Sequence, residues 1–168
     1  SQALDSIHRA AAMESMGYVI GGTIEEENKE LWPEQYASQK DIEQTDDFLF
    51  SVLMPHFGPM RAMARLLSID AKNAAVNGDA ERCLSDIEAM LAIGTHVREH
   101  PLLIGDLISF SIYKLAFLTL DEIMEHDCSL FSREQLDEFA RALHGVEKNL
   151  TIRFDGERLF FLELLQRV

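Results

Sequence analysis

Basic residues are scarce in this chain: 15 Lys and Arg stand against 29 Asp and Glu, for a formal net charge of −14. Nucleic-acid binding needs clustered Lys and Arg to displace phosphate counterions, so nucleic acid is excluded as a direct ligand. An anionic membrane surface is disfavoured by the same repulsion. Cysteine is scarcer still. Cys83 and Cys128 form no CxxC pair, and two cysteines in a chain of 168 residues build no disulfide framework. Both fall in or beside apolar helical stretches and are expected to be buried free thiols. Glycine is present but never in a phosphate loop or a dinucleotide fingerprint; Gly21-Gly22 reads as a turn. No GxSxG occurs, and no alternation of apolar and polar residues lasts long enough for a sheet. The longest apolar stretch, Leu102 to Leu120, is broken by Asp106 and Lys114 and is expected to be a buried helix, not a membrane span.

Helical periodicity fills the space these absences leave. Leu4, Ile7 and Ala11 mark an inward face of a first helix over 2–16, closed by Gly17. Thr23 and Glu26 form a capping box for a short second helix that stops before Pro33. Asp46 and Asp47 are acids placed where a helix N-terminus favours them. Pro59 suits the first turn of a helix whose Met60, Met63, Ala64, Leu67, Ala71, Ala74 and Ala75 share one face. Asn77-Gly78 ends it and Asp79 caps the next, whose stripe runs Ala80, Cys83, Leu84, Ile87, Met90, Leu91, Gly94 and Val97. So short a connection predicts an antiparallel αα-hairpin. Pro101 restarts the chain as a long apolar helix to His126. Ser132 with Gln135 is a second capping box, opening a helix to His144, and a last helix covers 152–168.

The expected fold is therefore all-α, with antiparallel helical hairpins stacked around the apolar helix 102–126, which needs cover on nearly all sides. Residues 1–50 hold eleven acids against three bases, so 1–45 is expected to be an acidic, loosely packed helical arm ahead of a hairpin domain at 46–168. The start at Ser1 and an end inside a helical pattern suggest a piece of a longer protein.

Gly78-Asp79 followed by Cys83, Ile87, Met90 and Leu91 resembles the second half of a tetratricopeptide repeat, over about one repeat's length. From Thr23 to Gln166 the chain is also similar to a group of uncharacterised bacterial helical proteins. The likeness rests on the TxEE segment at Thr23, the helix ending in Gly78-Asp79, Pro101-Leu102-Leu103-Ile104, and Gly156-Glu157-Arg158-Leu159-Phe160-Phe161-Leu162. This resemblance implies an all-helical, tetratricopeptide-like fold and a membrane anchor ahead of the helical region. It implies no particular activity.

Two constellations carry chemistry. His96, Glu99 and His100 read H-x-x-E-H, the inverted zinc-peptidase pattern in which two histidines bind zinc and the glutamate serves as base. His100 is followed at once by Pro101, and no distant third ligand is evident. The alternative is two histidines favoured by the dipole at a helix C-terminus. Asp106 and Lys114 lie in the most apolar helix, where unpaired charge is costly, so they are expected to find partners, with Glu157 and Arg158 as candidates, or to line a groove. Glu122, Glu125, His126 and Asp127 read as a solvated helix end. With no complete catalytic set and no motif that calls for a cofactor, the expected function is a non-catalytic scaffold for a protein or peptide. A zinc-dependent hydrolase using His96, Glu99 and His100 and a site for a small apolar ligand are the alternatives.

Overall fold

The computed structural model describes residues 2–15, 56–147 and 150–166, and all regular structure among them is helical. In chain order the described helices are α1 (Gln2–Ala11), α2 (Phe57–Val76), α3 (Ala80–Val97), α4 (Leu103–His126), α5 (Arg133–Glu147) and α6 (Asp155–Gln166). The capping box at Thr23 and Glu26, the helix start at Asp46-Asp47 and most of the acidic arm lie outside the described residues.

The hairpin α2–α3 follows from its turn. Gly78 sits at φ +73°, a left-handed conformation that costs other residues a Cβ clash. The amides of Gly78 and Asp79 close onto the carbonyls of Ala75 and Ala74, and the Asp79 carboxylate accepts from the Arg82 amide at 3.1 Å, capping α3. Four alanines on the inward face of α2 or beside it (Ala64, Ala71, Ala74, Ala75) let α3 approach closely, and Leu67 fills the space between them. The second capping box is reciprocal: Ser132 N–H donates to Gln135 Oε1 at 2.9 Å and Gln135 N–H to Ser132 Oγ at 3.2 Å.

Helix α3 is the most enclosed of the described helices. It packs against α1, α2, α4 and α5, and eleven of its 18 residues are buried. Helix α4 packs on both α2 and α3, but through an unusual stripe: Gly105, Asp106, Ser109, Ile112, Tyr113, Ala116, Thr119 and Ile123. Small side chains bring the helices close, and hydroxyls tie them. Thr119 Oγ1 donates to the Leu115 carbonyl, so Ser68 Oγ donates to Thr119 across the α2–α4 contact at 2.7 Å. By the same reasoning Thr95 donates to the Leu91 carbonyl, and Tyr113 Oη donates to Thr95 at 3.0 Å. The Tyr113 ring lies against Gly94, where an added Cβ would stand 2.7 Å from Cδ1 and nearer still to Cε1. Gly94 is thus the recess that accepts the one fully buried aromatic of α4.

Four expectations need correction. Among the described residues helix 102–126 is not covered on nearly all sides: Ile104, Leu107, Phe117 and Leu118 are exposed, and α5 packs on α3. The helix to His144 runs on through Gly145 to Glu147. The last helix starts at Asp155 and not 152, since the backbone of 151–153 is committed to partners across the fold. Cys83 is buried as expected, but Cys128 is exposed in the turn after α4, where Asp127 holds Ser129 through its amide and hydroxyl.

Candidate functional site

The connection from α3 to α4 is short and turns at Pro101, which brings Arg98, the His100 carbonyl and the first turn of α4 together. Asp106, in that first turn, is fully buried. Its Oδ2 accepts the backbone N–H of Arg153 at 2.8 Å, and its Oδ1 accepts Arg153 Nη2 and Nε at 2.8 and 3.3 Å. Arg98 Nη1 stands 3.6 Å from the same oxygen. The Arg153 guanidinium also donates to the carbonyls of Arg98 and of His100. Arg98 Nη2 donates to the Thr151 carbonyl at 2.9 Å, and its guanidinium lies 5.5 Å over the Phe110 ring. One buried carboxylate thus organises two guanidinium groups, each of which also donates to a backbone carbonyl.

Glu157 supplies what the start of α4 lacks. Leu102 has no side chain able to cap, and Glu157 Oε1, reaching from α6, accepts the Leu103 amide at 2.5 Å. Beside it, Gly156 N–H donates to the Pro101 carbonyl at 3.1 Å; a Cβ at 156 would meet that carbonyl and stand 2.7 Å from Leu102 Cδ2. The segment 150–157 is sewn onto 98–106 in this way, and Leu150 is left at the edge of a groove on the outer face of α4. That groove has a volume of about 470 Å³ and is lined by Phe110, Tyr113, Lys114, Phe117, Leu118, Asp121 and Leu150. Phe110 belongs to both groove and network.

Among the residues expected to matter, Asp106 is partnered, but by Arg153 and Arg98. Glu157 is a cap and not its partner, and Arg158 is exposed, its amide closing the first turn of α6 onto Phe154. Lys114 is exposed and edges the groove. Arg98 and Arg153 were missed. Arg153 carries a signal, a base between Ile152 and Phe154; Arg98, between Val97 and Glu99 in a polar run, carries none.

No family model matches this chain, and no curated protein or solved structure matches it. The chemistry rests on geometry alone. His96, Glu99 and His100 do not converge on one centre. His96 Nδ1 meets Glu99 Oε1 at 3.0 Å, and His96 Nε2 reaches the Ala11 carbonyl at 3.2 Å, so both ring nitrogens are engaged. His100 turns into the core, its ring centroid 5.4 Å from that of Phe57 and 6.1 Å from that of His56. Burial first, and His56 second, push the His100 imidazole down to about 4. Among the described residues no group of three or more His, Cys, Asp and Glu could hold a metal ion. At the end of α4, Glu122 is an ion-pair partner of Lys72, and Asp127 is pulled below the usual carboxylate range by its bonds to Ser129. Burial raises the Cys83 thiol to about 11, which leaves almost no thiolate for nucleophilic chemistry.

Proposed function

We propose that this chain is a non-catalytic helical scaffold that takes a protein or peptide segment along the outer face of α4. The observation that carries the reading is the outward placement of bulky apolar side chains on a helix whose inward stripe includes Gly105, Asp106, Ser109, Ala116 and Thr119. Leu107, Phe117 and Leu118 are 50%, 38% and 46% exposed while Ser109, Ala116 and Thr119 are buried. An apolar row exposed at this cost to solubility is a feature of surfaces that meet a partner. Phe117 and Leu118 line the shallow groove, and Lys114 and Asp121 in its lining offer one charge of each sign for register. The 150–154 segment, pinned by Asp106, makes one wall a rigid one. In this reading the α2–α3 hairpin, with its Gly78-Asp79 turn, serves as a tetratricopeptide-like platform, and an anchor ahead of the helical region would hold that platform at a membrane.

The test is site-directed photocrosslinking in cells that normally make the protein. A benzophenone side chain at Leu118 is expected to give discrete protein adducts, and the same group at exposed Glu81 on α3 is not. A matching adduct pattern at the two positions would refute the assignment, as would adducts that survive Phe117→Glu.

A further inference from the structure

A second surface, built by other residues, carries its own occupant. Helix α1 lies on α3 and α2, with Ile7 and Ala11 buried against them and Leu4 partly so. Two polar contacts set its register. His8 Nε2 is 2.7 Å from Oδ1 of Asp86, a carboxylate with no exposure to solvent, and His96 of α3 reaches the carbonyl of Ala11 at the other end of the helix. This is helix-in-groove recognition, with an apolar stripe at i, i+3 and i+7 and a basic residue beside it.

The fit of α1 is incomplete in two respects. Asp86 Oδ2 is buried with no N–H or hydroxyl donor facing it, and Asp70 of α2 sets a second carboxyl within hydrogen-bond reach, one that Arg82 of α3 binds through Nε and Nη2. Burial, and in smaller part Asp70, raise Asp86 to about 6 even though His8 opposes the shift, so the seat still lacks positive charge. A single imidazole nitrogen satisfies one oxygen where a guanidinium would satisfy both. The apolar side is underfilled as well. A cavity of about 200 Å³ remains beside Ala10 and Ala11 of α1, with Met60, Met63 and Ile93 on its other walls. Flexible methionines on the α2 wall can repack around a larger side chain.

We infer that the α2–α3 seat is a helix-binding groove occupied in cis by α1, and that its partner is an amphipathic helix bearing arginine at the position of His8 and a large aliphatic residue at that of Ala10. Helix α1 is a weak occupant by its own physics. Among its ten described residues only Ile7 and Ala11 are buried. This goes beyond the surface proposed on α4 and does not depend on it.

The experiment uses the full chain and a fluorescent peptide with the sequence of residues 1–15, read by anisotropy. Ile7→Glu in the chain undocks α1 and opens the seat; Leu4→Glu is a milder second variant, and circular dichroism reports that each remains folded. The peptide carrying His8→Arg and Ala10→Leu is expected to bind the Ile7→Glu chain at least about tenfold more tightly than the unsubstituted peptide does. It is expected to bind the wild-type chain at least about tenfold more weakly, because α1 competes there. Adding Asp86→Asn to the Ile7→Glu chain should erase the advantage of arginine. Equal binding to wild-type and opened chains, or no binding to either opened chain, overturns the inference. So does a wild-type dimer that dissociates on Ile7→Glu, which would make a second copy the occupant.

Discussion

Replacing Asp106 by Asn tests whether the buried carboxylate holds the 98–106 and 150–157 segments together. The substitution keeps the shape and removes the charge. Its amide nitrogen must then face a donor, either the Arg153 backbone N–H now on Oδ2 or the Arg153 guanidinium now on Oδ1. Breaking a buried pair by removing one partner costs about 3–5 kcal/mol, chiefly because the other charge is stranded. Two features reduce that figure here. The Arg153 side chain is 35% exposed and can turn to water, and Arg98 keeps its bond to the Thr151 carbonyl and its place over Phe110. The expected loss is therefore at the low end, about 3 kcal/mol, which for a chain of this size lowers Tm by about 6–12 °C. Urea unfolding followed by far-UV circular dichroism measures it. Hydrogen exchange adds a local readout, since the Arg153 amide should lose protection before the α3 amides do. A loss below about 1 kcal/mol would show that the network is ornamental to stability. As a control, Arg98→Met, Asp106→Leu and Arg153→Met together should recover most of the loss, because an all-apolar replacement strands no charge.

Gly94→Ala should destabilise by about 1–2 kcal/mol in the same assay: the added methyl collides with the Tyr113 ring, and the gain in helix propensity offsets only part of that. A neutral result would mean that Tyr113 is free to shift. The pH dependence follows from two opposed groups. His100 is held near 4 against 6.5 when unfolded, so the stability it contributes is full above pH 6.5 and falls, by up to about 3 kcal/mol, as pH drops towards 4. Asp86, raised to about 6 from 3.8 chiefly by burial, does the reverse, since protonation relieves its cost as pH falls through 6. Urea midpoints between pH 7 and 4.5 should therefore fall more steeply in Asp86→Asn than in wild type, and less steeply in His100→Phe; parallel curves would contradict both assignments. Ser132→Ala removes half of a reciprocal capping box and should cost about 1 kcal/mol. In the native state a thiol reagent should titrate Cys128 and spare Cys83, and Cys128→Ser should abolish the fast phase.

The elements most legible in the sequence were those whose signals are local. Asn77-Gly78-Asp79 and Ser132 with Gln135 state their backbone geometry within four residues, and both turn and capping box are present as read. The cover of α4 was not legible, because both of its faces are apolar or small by composition. The inward stripe is distinguished by side-chain size and by hydroxyls that find Ser68 and Thr95, which only the packing reveals. The site was half legible. A charge in an apolar helix demanded a partner, and Asp106 has one. Which partner depends on where 150–153 runs, and 152–153 reads in the sequence as the start of the last helix. His96, Glu99 and His100 had the spacing of a metal motif. The end of the helix at Val97 and the approach of α1 sent the two rings to different partners.

The seat of α1 also has a history in time. His8 lies 78 residues ahead of Asp86, and Ala11 lies 85 ahead of His96. Synthesis proceeds at about 5–20 residues per second, so α1 leaves the ribosome roughly 4–16 seconds before the surface that receives it exists. During that interval an amphipathic segment with Leu4 and Ile7 uncovered is available to chaperones and to neighbouring nascent chains. The hairpin α2–α3, closed by a three-residue turn, needs no such wait. The α2–α3 hairpin can thus close before α1 is placed on it, although α1 is made earlier than either helix of its seat.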